Sequence, residues 1–94
     1  MIYTIKKTSK FKQDYKLCIK RGLSIDKFIK VLSLLEKGMP LPEMYQDHPL
    51  KPSRNYLNCR ELHIEPDWLL IYKYSKKSVI LYLIRTGSHS DLFI

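Results

Sequence analysis

Three histidines hold most of the chemical potential of this sequence. His48 lies in a proline-rich stretch, His63 sits among Glu61, Glu65 and Asp67, and His89 follows Arg85 by four residues. With an ordinary pKa of about 6.5, histidine can take or give a proton close to neutrality. A guanidinium adds a fixed charge and fork-shaped hydrogen bonds to phosphate oxygens. A carboxylate beside a histidine can orient it or help accept the proton. These are the parts that metal-free RNA cleavage requires. The ribose 2′-OH must lose a proton, the leaving 5′-oxygen must gain one, and the crowded phosphate must have its charge stabilised. Each positioned acid or base is typically worth about 10²–10⁴ in rate.

Other chemistries find less support. The three histidines show no H-E-x-x-H or comparable ligand spacing, and Cys59 has no nearby cysteine, so neither a metal nor another cofactor is expected. No G-x-S-x-G elbow marks a serine hydrolase. Trp68, Tyr72 and Tyr74 share strand parity and could stack on bases, although such a stripe more often forms a core, the reading preferred for Tyr74.

The elements that must position these residues follow from the hydrophobic pattern. Residues 2–6 predict a short strand. Thr8 or Ser9 can cap a helix with Phe11, Tyr15 and Cys18 on one face, and Gly22 can stop it. Ser24 can cap a second helix with Ile25, Phe28, Ile29, Leu32 and Leu35 as its apolar face, ended by Gly38 and Pro40. The short link between them predicts an antiparallel hairpin. Residues 39–55 read as loop. Strands are predicted over 56–64, 67–74 and 79–85, the last two joined by a polar turn. Residues 79–84 are apolar throughout, which points to a strand buried on both faces at the centre of the sheet, and residues 88–94 read as a short tail. The fold class is α+β: an N-terminal strand and a helical hairpin packed on a small, mostly antiparallel sheet, order β-α-α-β-β-β, as one domain over residues 1–94.

Charge narrows the class of partner. Residues 1–37 hold ten basic residues against three acidic ones, a net of +7, whereas residues 38–94 hold seven against six, a net of +1. A surplus confined to one third of the chain suggests a patch for a polyanion. Cys18 and Cys59 form no paired motif and suit reduced thiols in a cytoplasmic protein. No signal peptide is expected from the first fifteen residues, and no apolar run is long enough for a membrane helix.

Three segments carry a resemblance. They are Tyr45-Gln46-Asp47-His48-Pro49-Leu50, then Arg60-Glu61-Leu62-His63-Ile64-Glu65-Pro66-Asp67-Trp68-Leu69-Leu70-Ile71-Tyr72, then Arg85-Thr86-Gly87-Ser88-His89-Ser90-Asp91-Leu92-Phe93. In this order they closely resemble the YafQ-type mRNA interferase toxins of the RelE/ParE superfamily. The resemblance implies a ribosome-dependent endoribonuclease that cuts mRNA without a metal, and an acidic antitoxin that blocks it. The toxin alone would be monomeric and would become oligomeric with its antitoxin. It further implies that His48, His63, Asp67 and His89 form the catalytic set, with His89 and Asp67 closest to the proton transfers. Arg85 would bind phosphate and Phe93 would position RNA, with Arg60 and Glu65 also on the substrate surface. Trp68 is assigned to packing. Three other readings compete: a ParE-like gyrase-inhibiting toxin, a non-catalytic RNA-binding module, and a co-repressor acting with its antitoxin.

Overall fold

The structure is a computed structural model that describes residues 2–93. Strand β1 (Thr4–Lys7) leads into helices α1 (Ser9–Lys20) and α2 (Ile25–Glu36). A 3-10 turn at Glu43–Tyr45 and a two-residue strand β2 (His48–Pro49) follow. Then come β3 (Arg60–Glu65), β4 (Trp68–Ser75), β5 (Ile80–Gly87) and a short helix α3 (His89–Leu92). The strands form one sheet in the order β1-β5-β4-β3-β2. Only β1 runs parallel to its neighbour β5; the other pairs are antiparallel. The class is α+β, as expected. Among the described residues no helix is long and apolar enough to cross a membrane.

The helices start where the sequence offers caps. Thr8 Oγ1 accepts the Phe11 N–H at 3.0 Å, and Ser24 Oγ accepts the Lys27 N–H at 3.4 Å. Phe28 then meets Phe11 and Tyr15 with ring centroids 6.0 and 5.1 Å apart, locking the hairpin. The apolar stripe of α2 differs from the expected one. Phe28, Val31 and Leu35 are buried, while Ile25 and Ile29 are exposed. With apolar residues on several adjacent rows, periodicity alone cannot choose the row. Packing of α2 over β3 chooses it.

The sheet buries both faces. On the helix side Leu62, Ile64, Trp68, Leu70, Tyr72, Leu81 and Leu83 join the hairpin in the main core. On the other side Leu69 and Ile71 pack with Tyr56, Cys59 and Leu92. The central strand is therefore β4, and the expectation that residues 79–85 hold the centre is corrected. Strand β5 lies between β4 and β1, and begins at Ile80 because Val79 turns through φ +55°. Trp68 and Tyr72 are core residues, and the Tyr74 hydroxyl donates to Leu35 O at 2.6 Å, so this row is no stacking platform.

Two expected loops have structure that matters for the site. Strand β3 starts at Arg60 rather than near residue 56 because the preceding segment folds across the second face of the sheet. There Tyr56 is buried and its hydroxyl donates to Leu92 O at 3.1 Å. The expected tail is α3, whose Leu92 closes the second core; Ile94 lies outside the described residues.

Candidate active site

Strand alternation builds the first half of the site. Glu61 and His63 are two residues apart on β3, so they share a face. His48 on β2 lies opposite Glu61 in the ladder. His48 Nε2 stands 3.3 Å and His63 Nε2 3.8 Å from the same oxygen, Glu61 Oε1. The three ligand-type atoms all lie within 4.8 Å of one another. Glu61 is buried, 7% exposed, between the two more open rings. The sequence places Glu61 near His63 without singling it out for a role. The E-x-H spacing on a strand was the signal for it.

The second half hangs on the run from Arg85 to Phe93, in which every residue of the R-T-G-S-H motif has a structural task. Arg85 forks onto Asp14 of α1 through Nε and Nη2, both at 2.9 Å, and this carboxylate holds the guanidinium still more firmly charged. Thr86 donates to Leu69 O at 2.7 Å and accepts from the indole N–H of Trp68 at 2.9 Å. Gly87 has φ +154°, and a β-carbon there would come within 2.9 Å of Asp91 Oδ2. Ser88 and Asp91 form a reciprocal capping box at the start of α3. Arg21 binds Asp91 at 2.7 Å, and this hydrogen bond, with that of the Ser88 N–H, pulls the Asp91 carboxyl down to about 2.

His89 is thus placed at the first turn of a braced helix. Its N–H donates to Asp67 Oδ1 at 3.0 Å, and its ring lies 5.0 Å from that of Phe93. Asp67 therefore acts on the backbone of His89; the hydrogen bond found for it goes to no imidazole.

An open cleft of about 610 Å³ links the two halves, with His48, Pro49 and Leu50 on one wall and Leu92 and Phe93 on the other. Lys51, Ser53, Asn55 and Tyr56 complete its lining. A smaller cavity of about 230 Å³ shares Asn55 and Tyr56 with it and contains Arg85, Thr8 and Lys10. Arg85 adjoins the cleft while engaged with Asp14.

Arg60 and Glu65 are not brought to this surface. Alternation turns Arg60 away from Glu61 and His63, towards Tyr72 and Asp47, where it binds Asp47 at 2.9 Å. Glu65, beyond an irregularity in the ladder, binds Lys27 of α2 at 2.9 Å in a separate depression that His63 also borders. The expectation that these two residues line the substrate surface finds no support in their placement. Asp47 also accepts a hydrogen bond from the buried hydroxyl of Tyr72, so the residue before His48 is held by two partners. The sequence assigns no role to Asp14, nor to Asp47 although it precedes His48 in a family-like segment, because their partners are distant along the chain.

The family described as "Bacterial toxin of type II toxin-antitoxin system, YafQ" matches residues 3–94. The chain is 40% identical over 90 residues to the mRNA interferase toxin YafQ of Escherichia coli strain K12, covering 95% of this chain and 94% of that protein. Its fold matches a chain in the crystal structure of the E. coli DinJ-YafQ toxin-antitoxin complex with a TM-score of 0.88, at 37% identity over 100% of both chains. A metal-bound toxin from Helicobacter pylori matches with a TM-score of 0.89 at 41% identity, over 99% of this chain and 100% of that one.

Proposed function

Because this chain belongs to the YafQ family of type II toxin–antitoxin toxins, we propose that it cleaves mRNA on the ribosome by metal-independent acid/base catalysis. It is an mRNA interferase, and so an endoribonuclease. One observation carries the mechanism: the His48–Glu61–His63 cluster opens, through His48, on a cleft whose far wall ends at Phe93, the ring that packs on His89.

In this reading the scissile phosphodiester lies across the cleft. The 2′-OH gives its proton to the histidine–carboxylate cluster, with Glu61 stabilising the imidazolium that forms. The 2′-oxygen attacks phosphorus and the bond to the 5′-oxygen breaks. His89, whose ring packs on Phe93 of the opposite wall, supplies the proton that the leaving oxygen takes up. The products are a 2′,3′-cyclic phosphate and a free 5′-OH. Asp67 holds His89 through its backbone, and Phe93 stacks on a base and confines the ring of His89. Lys51 in the cleft, and Lys10 and Arg85 in the adjoining cavity, draw in the phosphates on either side. The excess of lysine on the exposed faces of α1 and α2 serves ribosomal RNA in the same way, and overall extents of 34 × 31 × 26 Å keep the body small enough to reach bound mRNA. The toxin acts in the cytoplasm, and its partner is an acidic antitoxin that covers the cleft; the E. coli relative is found in a DinJ-YafQ toxin-antitoxin complex.

The test is to map RNA 5′ ends after expression without antitoxin. Cleavage inside coding regions is expected, and His89→Ala should slow it by about 10²–10⁴ while leaving the fold intact. Unchanged cleavage by that variant would refute the assignment of His89. Inhibition of gyrase with intact RNA would favour the ParE-like reading.

A further inference from the structure

Leu62 and Ile64 point into the main core, so Glu61 and His63 lie on the second face of the sheet, and that face continues past the cleft. Leu81 and Leu83 also point into the main core, so alternation turns Tyr82 to the second face, beside Ile84. On the neighbouring strands Lys6 and Lys73 are the ladder partners of Tyr82. Ile5 packs against the main core and Ile71 lies in the second, which turns both lysines to the face of Tyr82. A lysine–tyrosine–lysine row thus crosses β1, β5 and β4. Lys6 is exposed, and Tyr82 and Lys73 are only partly buried. Among the described residues neither lysine has a carboxylate within salt-bridge distance. The Lys73 ammonium stands 5.8 Å from the centre of the Tyr82 ring, a weak surface contact that a base can displace.

An aromatic ring fixed on a sheet between two cations suits single-stranded nucleic acid: a base stacks on the ring and the lysines take phosphates on either side. Position decides which strand. A shallow depression of about 630 Å³ borders Tyr82 and Lys73, and shares Thr8 and Ile84 with the smaller cavity that contains Arg85. That cavity in turn shares Asn55 and Tyr56 with the cleft. A bulge builds the junction. Tyr72 pairs with Leu83 and Ile71 with Arg85, so Ile84 is the extra residue, and both Ile84 and Arg85 border one cavity. Three residues of strand, about 10 Å, separate Arg85 from Tyr82. The concave surface therefore runs without a break from His48 and Phe93, past Arg85, to Tyr82.

We propose that Lys6, Tyr82 and Lys73 form a subsite for a nucleotide of the mRNA strand that lies beyond the cut. Tyr82 stacks on the base, Lys6 and Lys73 hold the phosphates beside it, and Arg85 takes the phosphate between this subsite and the cleft. Its place beside the substrate rests on the reading that mRNA occupies the cleft; the stacking of RNA on Tyr82 does not.

The test uses the full chain and a short single-stranded RNA carrying 2′-O-methyl groups, which blocks the attacking oxygen so that the strand binds uncut. Tyr82→Ala should weaken its binding at least about fivefold, and Tyr82→Phe, which keeps the ring, should not. Replacing Lys6 and Lys73 together with alanine should reduce the slope of log affinity against log salt by about 1.4, the share of two phosphates on a single strand. Because a variant can fold poorly, NMR of the unaltered protein provides a second measurement: the ring-proton signals of Tyr82 should move upfield as the RNA is added. Unmoved ring signals, or equal affinity of the natural chain and Tyr82→Ala (no binding by either included), would overturn the subsite. So would ring signals that move with a polyglutamate peptide and not with RNA, which would assign the row to an acidic protein. Either result, with cleavage of unmodified mRNA on ribosomes intact, leaves the nuclease reading standing. RNA that stacks on Tyr82 as expected but is never cut in its unmodified form would instead sink the nuclease reading and keep the row as an RNA site.

Discussion

Replacing Asp47 with alanine tests whether His48 is held in place or merely nearby. Asp47 binds Arg60 through both oxygens, at 2.9 and 3.3 Å, and accepts from the hydroxyl of Tyr72. Tyr72 is 1% exposed, and burial followed by the Asp47 hydrogen bond raises its pKa far above the ordinary phenol. Without Asp47 that hydroxyl has only the Arg60 guanidinium beside it, which cannot accept a hydrogen bond. A buried donor left unsatisfied costs about 1–3 kcal/mol. The Arg60 side chain is 40% exposed, so its lost ion pair is screened and adds only about 0.2–1 kcal/mol. The sum is about 1–4 kcal/mol, a fall in melting temperature on the order of 5–30 °C for a domain of this size.

Tyr72→Phe removes the donor and leaves Asp47 paired with Arg60, at a cost of about 1 kcal/mol. In that background Asp47→Ala should cost about 1–2 kcal/mol less than in the natural chain, which a double-mutant cycle by urea unfolding measures. Below its melting range, Asp47→Ala should also lower kcat for RNA cleavage about tenfold with little change in KM, because a loosened His48 loses near-attack geometry. Asp47→Asn should recover part of both losses. A melting temperature within about 2 °C of the natural chain, or a coupling energy near zero, would refute this account of how β2 is anchored.

Two further outcomes follow from the turn into α3. Gly87→Ala should destabilise the protein by about 1–3 kcal/mol and cut RNA cleavage, because φ +154° is strained for alanine and the added methyl meets Asp91 at 2.9 Å; denaturant unfolding and a cleavage assay check both, and full activity would contradict the assigned role of Gly87. The Arg21–Asp91 contact should stabilise the fold above the unfolded carboxyl pKa of about 4, since the folded pKa is lowered to about 2. The advantage over Arg21→Ala is then complete near neutrality and disappears as pH falls through about 2. Thermal melts at several pH values read it, and because Arg21 is nearly half exposed the difference should also shrink with added salt.

Much of this molecule is legible along the chain. Thr8, Ser24 and Gly22 announce the hairpin because capping is decided within three or four residues. The alternation of Leu62 and Ile64 with Glu61, His63 and Glu65 announces β3 for a similarly local reason. The histidines and the segments around them mark the chemistry by residue type. Strand order was less accessible: residues 79–84 and Leu69-Leu70-Ile71 are both continuous apolar runs, and composition cannot say which is flanked on both sides. The same limit applies to α2, where Ile25 and Ile29 looked like core and are exposed.

What the chain determines by itself is therefore its inventory and local geometry: which residues can move protons, where helices start, and which face of β3 unites Glu61 with His63. Tertiary structure alone decides which charges are free to act. Arg60 and Arg85 are the same residue type, yet one is bound to Asp47 on the far face and the other to Asp14 beside the cleft. Asp67 braces the backbone of His89 from the turn between β3 and β4. Caps and alternation depend on neighbours a few bonds away, whereas an ion pair between residues 14 and 85 exists only after the sheet and hairpin have brought them together.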